Sequence, residues 1–175
     1  FYTFLIPHSS TFMTEVWLRG SLENISPTLM PVAHALLQAR EDVEIANTLS
    51  DEQLWMKPGG AASVGFHLRH IVGSIGRLLT YADGQQLHEG QLEFLRNEDK
   101  PVSNAKQLIT ETREAIDKAV EILRKTQDES LFEKRSVGRK NLPSTVIGLL
   151  YHIGEHTSRH AGQIITTTKI VRGLG

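Results

Sequence analysis

The chain has 175 residues, enough for one domain with a core of its own. Its 19 basic and 20 acidic residues leave a formal charge of −1, without the basic excess that displaces counterions from nucleic-acid phosphates. There is no cysteine, which excludes disulfides, iron–sulfur clusters, thiolate-bound zinc and a thiol nucleophile of the chain's own.

Residues 1–25 have a mixed pattern. Residues 1–6 are apolar but lack the basic region and small-residue cleavage site of a secretory signal. No apolar run approaches the roughly 18 residues of a membrane span. The expectation is a cytoplasmic protein with no membrane and no nucleic-acid partner.

A first helix is predicted over 27–48, with Ser26 as N-cap and Pro27 at the first helical position. Leu29, Val32, Ala33, Leu36, Val43 and Ala46 form its apolar stripe, and Pro31 permits a start one turn later. The connection 49–60 ends in the turn signal Pro58-Gly59-Gly60. A second helix over 62–81 carries Val64, Leu68, Ile71, Ile75, Leu78 and Leu79 at helical spacing. Residues 83–102 read as a long connection, of a length that suits a lid or a dimer contact.

The third helix is capped by Ser103 and holds its stripe from Ala105 through Leu108, Ile109, Thr112, Ile116, Ala119 and Val120 to Leu123. A polar connection over 126–141 includes the basic residues Lys134, Arg135, Arg139 and Lys140. The fourth helix begins near Asn141 or Pro143 and runs to about Arg172, with Gly173 as its stop and Gly162 as a point of close helix contact. No strand-like alternation of any length is visible. The fold class is therefore all-α: a four-helix bundle whose long connections permit crossovers. The expected organisation is a single domain over 1–175, with its core at about 25–172 and an N-terminal extension over 1–24.

Five of the eight histidines fall in two segments: His67 and His70 on the second helix, and His152, His156 and His160 on the fourth. Residues i and i+4 lie one turn apart on one helix face, so His156 and His160 can chelate one ion. They also stand where the stripe Val146, Leu149, Leu150, Ile153 should continue towards Thr157 and Ile164. Two buried unpaired imidazoles are costly, and a shared metal satisfies both. A third imidazole from the second helix would make a three-His site with an open position, the pattern of catalytic rather than structural centres. Periodicity lets His67 compete with His70 for that place, since His67 follows the Val64–Ile71–Leu78 stripe more closely.

The segment 152–156 also matches H-x-x-E-H, with Glu155 as general base. That pattern ignores His160, and its enzymes need a further acidic ligand on a larger scaffold.

Two stretches carry a family resemblance. Trp55-Met56-Lys57-Pro58-Gly59-Gly60 followed by Ser63-Val64-Gly65-Phe66-His67-Leu68-Arg69-His70-Ile71 resembles the entry into the second helix of the DinB/YfiT-type metalloenzyme superfamily. His152-Ile153-Gly154-Glu155-His156-Thr157-Ser158-Arg159-His160-Ala161-Gly162-Gln163-Ile164 resembles the last metal-binding helix of the same family. The resemblance implies a four-helix bundle holding one divalent metal, with His70, His156 and His160 as ligands. Zinc or nickel would be the first expectation, with iron or manganese as alternatives. His67, His152, Trp55 and Arg159 are then pocket candidates, able to orient a ligand or substrate. Asp83, Glu89 and Glu155 are acid–base candidates.

The implied activity is activation of a low-molecular-weight thiol for S-transfer, the thiol being a cosubstrate because the chain has none, or of water for hydrolysis. The partners are a small-molecule substrate and a second copy in a homodimer. The alternatives are a non-catalytic, stress-related metal or ligand-binding protein, and a helical scaffold with ordinary histidines.

Overall fold

In the computed structural model, which describes residues 14–173, Pro31 decides where the first helix begins. Helix α1 spans Met30–Asp42 with the proline in its opening turn, where a missing N–H leaves no bond unmade. The start predicted at Pro27 is thus one turn early. Ser26 does not cap α1; its Oγ accepts a hydrogen bond from the Thr28 N–H (3.2 Å) in the preceding turn. Beyond Asp42 the chain continues as a 3-10 stretch over Val43–Thr48.

Short helix α2 (Asp51–Trp55) is held by a reciprocal cap between Ser50 and Gln53. Helix α3 (Val64–Ala82) is capped by Ser63, whose Oγ accepts from the Phe66 N–H at 3.1 Å. The segment read as a bare connection contains helix α4 (Glu89–Arg96). Helix α5 (Ala105–Lys125) begins on Asn104, whose Oδ1 accepts from the Gln107 N–H at 3.0 Å. Ser103 is therefore not its cap; its carbonyl instead accepts the Trp55 indole N–H.

The polar connection after α5 holds an antiparallel hairpin of β1 (Lys134–Val137) and β2 (Leu142–Thr145), in register from Lys134 opposite Thr145 to Val137 opposite Leu142. The expectation of no strands is corrected here. Helix α6 (Val146–Gly173) leaves directly from β2, a few residues later than predicted.

The ion pairs Arg40–Asp117 and Arg113–Glu44 show that α1 and α5 run in opposite directions. Helices α3 and α5 run the same way: Trp55 ties Ser103 to the start of α3, and one turn further the Thr112 hydroxyl donates to the Leu68 carbonyl. The crossover that this demands is the segment carrying α4. The result is a four-helix bundle of α1, α3, α5 and α6 that is not up-down-up-down.

Its core is Leu29, Leu36, Leu68, Ile71, Leu108, Ile116, Leu150, Ile153 and Ile164, all buried. Gly65 gives the Trp55 ring its seat, since a Cβ there would lie 2.8 Å from the indole. Gly162, expected at a helix contact, is exposed, and a Cβ on it would meet nothing within 4 Å; the close approach on α6 is at Gly154, beside Val32. Among the described residues no helix is long and apolar enough to cross a membrane.

Candidate metal centre

Helices α3 and α6 lie antiparallel, so residue numbers that rise along one fall along the other. That register brings His70 opposite His156 and His67 opposite His160. His70, His156 and His160 each offer a ring nitrogen, and these three atoms lie within 4.8 Å of one another. The Nε2 atoms of His70 and His156 are 2.9 Å apart. Phe66, one turn before His70, stacks on its ring with centroids 5.3 Å apart.

The second nitrogen of each ring sets its tautomer. His70 Nδ1 lies 2.6 Å from Glu98 Oε2 and donates to it, so His70 Nε2 presents a lone pair. His156 Nδ1 is buried and finds no hydrogen-bond partner among the described residues. If His156 donates Nε2–H to His70, its own Nδ1 is left as a buried lone pair with no donor, a costly arrangement. If instead it turns an Nε2 lone pair toward His70, its Nδ1–H is a buried donor without an acceptor, and two lone pairs face each other at 2.9 Å and call for a cation between them. His160 Nδ1 lies 2.9 Å from His67 Nδ1, and a donation from His160 to His67 leaves the other nitrogen of His160 unprotonated. The donor set, three imidazole nitrogens within 4.8 Å of one another, fits a divalent ion at an imidazole-rich site.

Burial, reinforced by the neighbouring imidazoles, keeps His67, His156 and His160 neutral at ordinary pH. Desolvation is the main cause at each, with the charge on His70 next. His67 and His156 are pushed down to about 4, and His160 to about 3. Neutral rings are the form that binds metal.

Behind His70 stands Glu98, only 3% exposed and two residues beyond the end of α4. Its Oε1 accepts from Arg77 Nη1 at 2.6 Å while Oε2 accepts from His70. Gly73, between those two α3 residues, makes room: a Cβ there would collide with Glu98 Oε1 and lie 2.6 Å from Arg77 Nη1. Sequence reasoning missed Glu98, because nothing in a non-periodic connection marks one acid among several. The glycine one turn after His70 was the available signal.

A family model described as the DinB superfamily matches residues 35–164. The chain belongs to the DinB superfamily. Two solved structures share the fold. A DinB-like protein from Bacillus cereus is 23% identical, with a TM-score of 0.57 over 77% of this chain and 89% of that one. YfiT from Bacillus subtilis is 15% identical, with a TM-score of 0.63 over 86% of this chain and 91% of its own, and is described as "a probable metal-dependent hydrolase with an unusual four-helix bundle topology". No curated protein sequence matches the chain.

The other residues singled out in this DinB-superfamily chain fall into distinct places. His67 is buried beside His160. His152 is exposed, with its ring 5.2 Å from that of His156 and its Nδ1 3.3 Å from Glu155. Arg159 is exposed and paired with Glu155. Trp55 packs on Gly65 and donates its indole N–H to the Ser103 carbonyl. Glu89 pairs with Arg96, and Asp83 lines a different cavity. That cavity, about 1010 Å³, opens between the later turns of α3 and α5 with Ile75, Leu79, Ala115 and Ile122 among its walls; none of the three clustered imidazoles lines it.

Proposed function

We propose that this DinB-superfamily protein is a mononuclear divalent-metal enzyme acting on a small molecule, with His70, His156 and His160 as the protein ligands. The observation that carries the reading is the convergence of three ring nitrogens from α3 and α6 within 4.8 Å. A divalent ion held by three imidazoles lowers the pKa of a bound water or thiol towards neutrality and polarises a substrate. Zinc or nickel is the first choice, and iron or manganese suits the same donors.

The chain's own groups do the remaining work. Glu98 and His67 fix the tautomers of His70 and His160, so that their free nitrogens point inwards. Phe66 covers one face of His70 and excludes water from it. His152, Glu155 and Arg159 form the exposed rim on α6 that an incoming substrate meets. The favoured reaction is transfer of a low-molecular-weight thiol to an electrophile, with the thiol supplied as a cosubstrate. Hydrolysis by activated water is the second reading, favoured by the fold shared with YfiT.

Elemental analysis joined to a screen of thiols with electrophiles, and of esters, tests the proposal. About one equivalent of metal is expected, lost in His156→Ala, with turnover abolished by a chelator. Metal-free protein after purification and metal supplementation would overturn it.

A further inference from the structure

Glu98 does not belong to the helices that bring the imidazoles together. It arrives from the crossover between α3 and α5, and three independent contacts hold it there. Arg69, buried on α3, donates to the carbonyls of Asn97 and Lys100, and its guanidinium lies 5.1 Å from the Phe94 ring centroid. These contacts clamp both sides of Glu98 onto α3. Arg77, one turn beyond Gly73, takes one carboxylate oxygen, and His70 Nδ1 takes the other. Gly73 clears the space between them. Two buried arginines and a glycine on successive turns of one helix thus serve to place a single carboxylate on a single imidazole nitrogen.

A surface crossover needs no such arrangement. Burying a carboxylate is unfavourable unless each oxygen is paired, and here each is. A carboxylate that accepts Nδ1–H locks His70 with its Nε2 lone pair turned to His156, and makes that lone pair a stronger donor.

From this geometry we infer that Glu98, oriented by Arg77 and admitted by Gly73, is a positioning residue for the metal centre: through His70 it sets metal affinity and the open tautomer of the site. The inference rests on the proposed metal function. It makes the α4 crossover a part of that centre rather than a link between helices.

The test compares Glu98→Gln, Gly73→Ala and His70→Ala in the full chain. Zinc affinity is measured by competition with a chromophoric chelator. The His70 tautomer in metal-free protein is read from ring ¹⁵N chemical shifts. Gly73→Ala keeps every charged group and pushes the carboxylate away from His70, with Arg77 and Phe94 shifting beside it, so it covers the case in which Glu98→Gln leaves Arg77 unpaired and fails to fold. Both substitutions are expected to weaken zinc binding roughly ten- to hundred-fold, the usual effect of removing an outer carboxylate partner. They should also shift His70 from the Nδ1–H form towards a mixture, with the other imidazoles unchanged.

If His70→Ala abolishes zinc binding while Glu98→Gln and Gly73→Ala leave affinity and tautomer as in the parent, this inference is wrong and the metal reading survives. If His70→Ala itself leaves zinc affinity unchanged, the metal reading fails. The tautomer shift then still decides whether Glu98 positions the ring.

Discussion

At the scale of single residues, His67, His156 and His160 share one property: burial makes their charged forms unfavourable. For His67, His156 and His160 the folded pKa lies below the unfolded value of about 6.5. Between those values the unfolded chain binds more protons than the folded one, so stability rises with pH there. The contribution is fully present above about pH 6.5 and is lost as the pH falls towards 4 and 3. Urea midpoints of metal-free protein should therefore be flat through neutrality and decline steadily below about pH 6.5. A midpoint that held level down to about pH 4 would contradict neutral buried rings. Protons and metal compete for the same lone pairs of the folded site, so direct displacement of metal on acidification should begin only near pH 4, below the onset of the stability decline. His160→Ala removes the ring with the lowest pKa and should flatten the acid decline as well as release the metal. Equilibrium dialysis at stepped pH checks both effects.

At the scale of elements, the helix that carries His67 and His70 depends on how its first turn is closed. The Ser63 hydroxyl is fully buried and caps α3 at Phe66, so Ser63→Ala should lower stability by about 1 kcal/mol, read by urea unfolding. Gly65→Ala drives a methyl into the Trp55 ring and should cost roughly 1–3 kcal/mol by overpacking, with part of that loss recovered in a Trp55→Leu background.

The two long apolar stripes of α3 and α5 were legible because burial repeats every three or four residues along them. His156 and His160 were legible for a related reason, since they interrupt such a stripe on α6. Short elements left no comparable trace. Helix α4 has only eight residues, none of them fully buried, and each hairpin strand has four. Periods of 3.6 or 2 cannot be established over such lengths. Spacing also left His67 and His70 as rivals, because both face α6. What separates them is the partner of the second nitrogen: a carboxylate for His70, and the His160 ring for His67. That partner comes from tertiary contact, and Glu98 stands 28 residues from His70 in the chain.

At the scale of the whole molecule, the proposed centre ties together parts of the chain that fold locally. It joins α3 to α6, and through Glu98 it draws in the crossover between α3 and α5. A ligand that binds the folded state alone stabilises it by RT ln(1 + [L]/Kd), about 2.7 kcal/mol when free metal is a hundred times Kd. For a chain of this size each kcal/mol moves the melting temperature by roughly 2–4 °C, so saturating metal should raise it by about 5–10 °C. Calorimetry in chelator and in graded free zinc should show a midpoint that climbs with the logarithm of free metal once the site is filled. His156→Ala, which keeps the helices but removes one ligand, should melt at nearly one temperature throughout the series. Equal gains in the parent and in His156→Ala would mean that the ion acts at surface carboxylates, and that the bundle stands without the centre proposed for it. A gain confined to the parent would show that four helices with an unusual crossover are held partly by the chemistry they enclose.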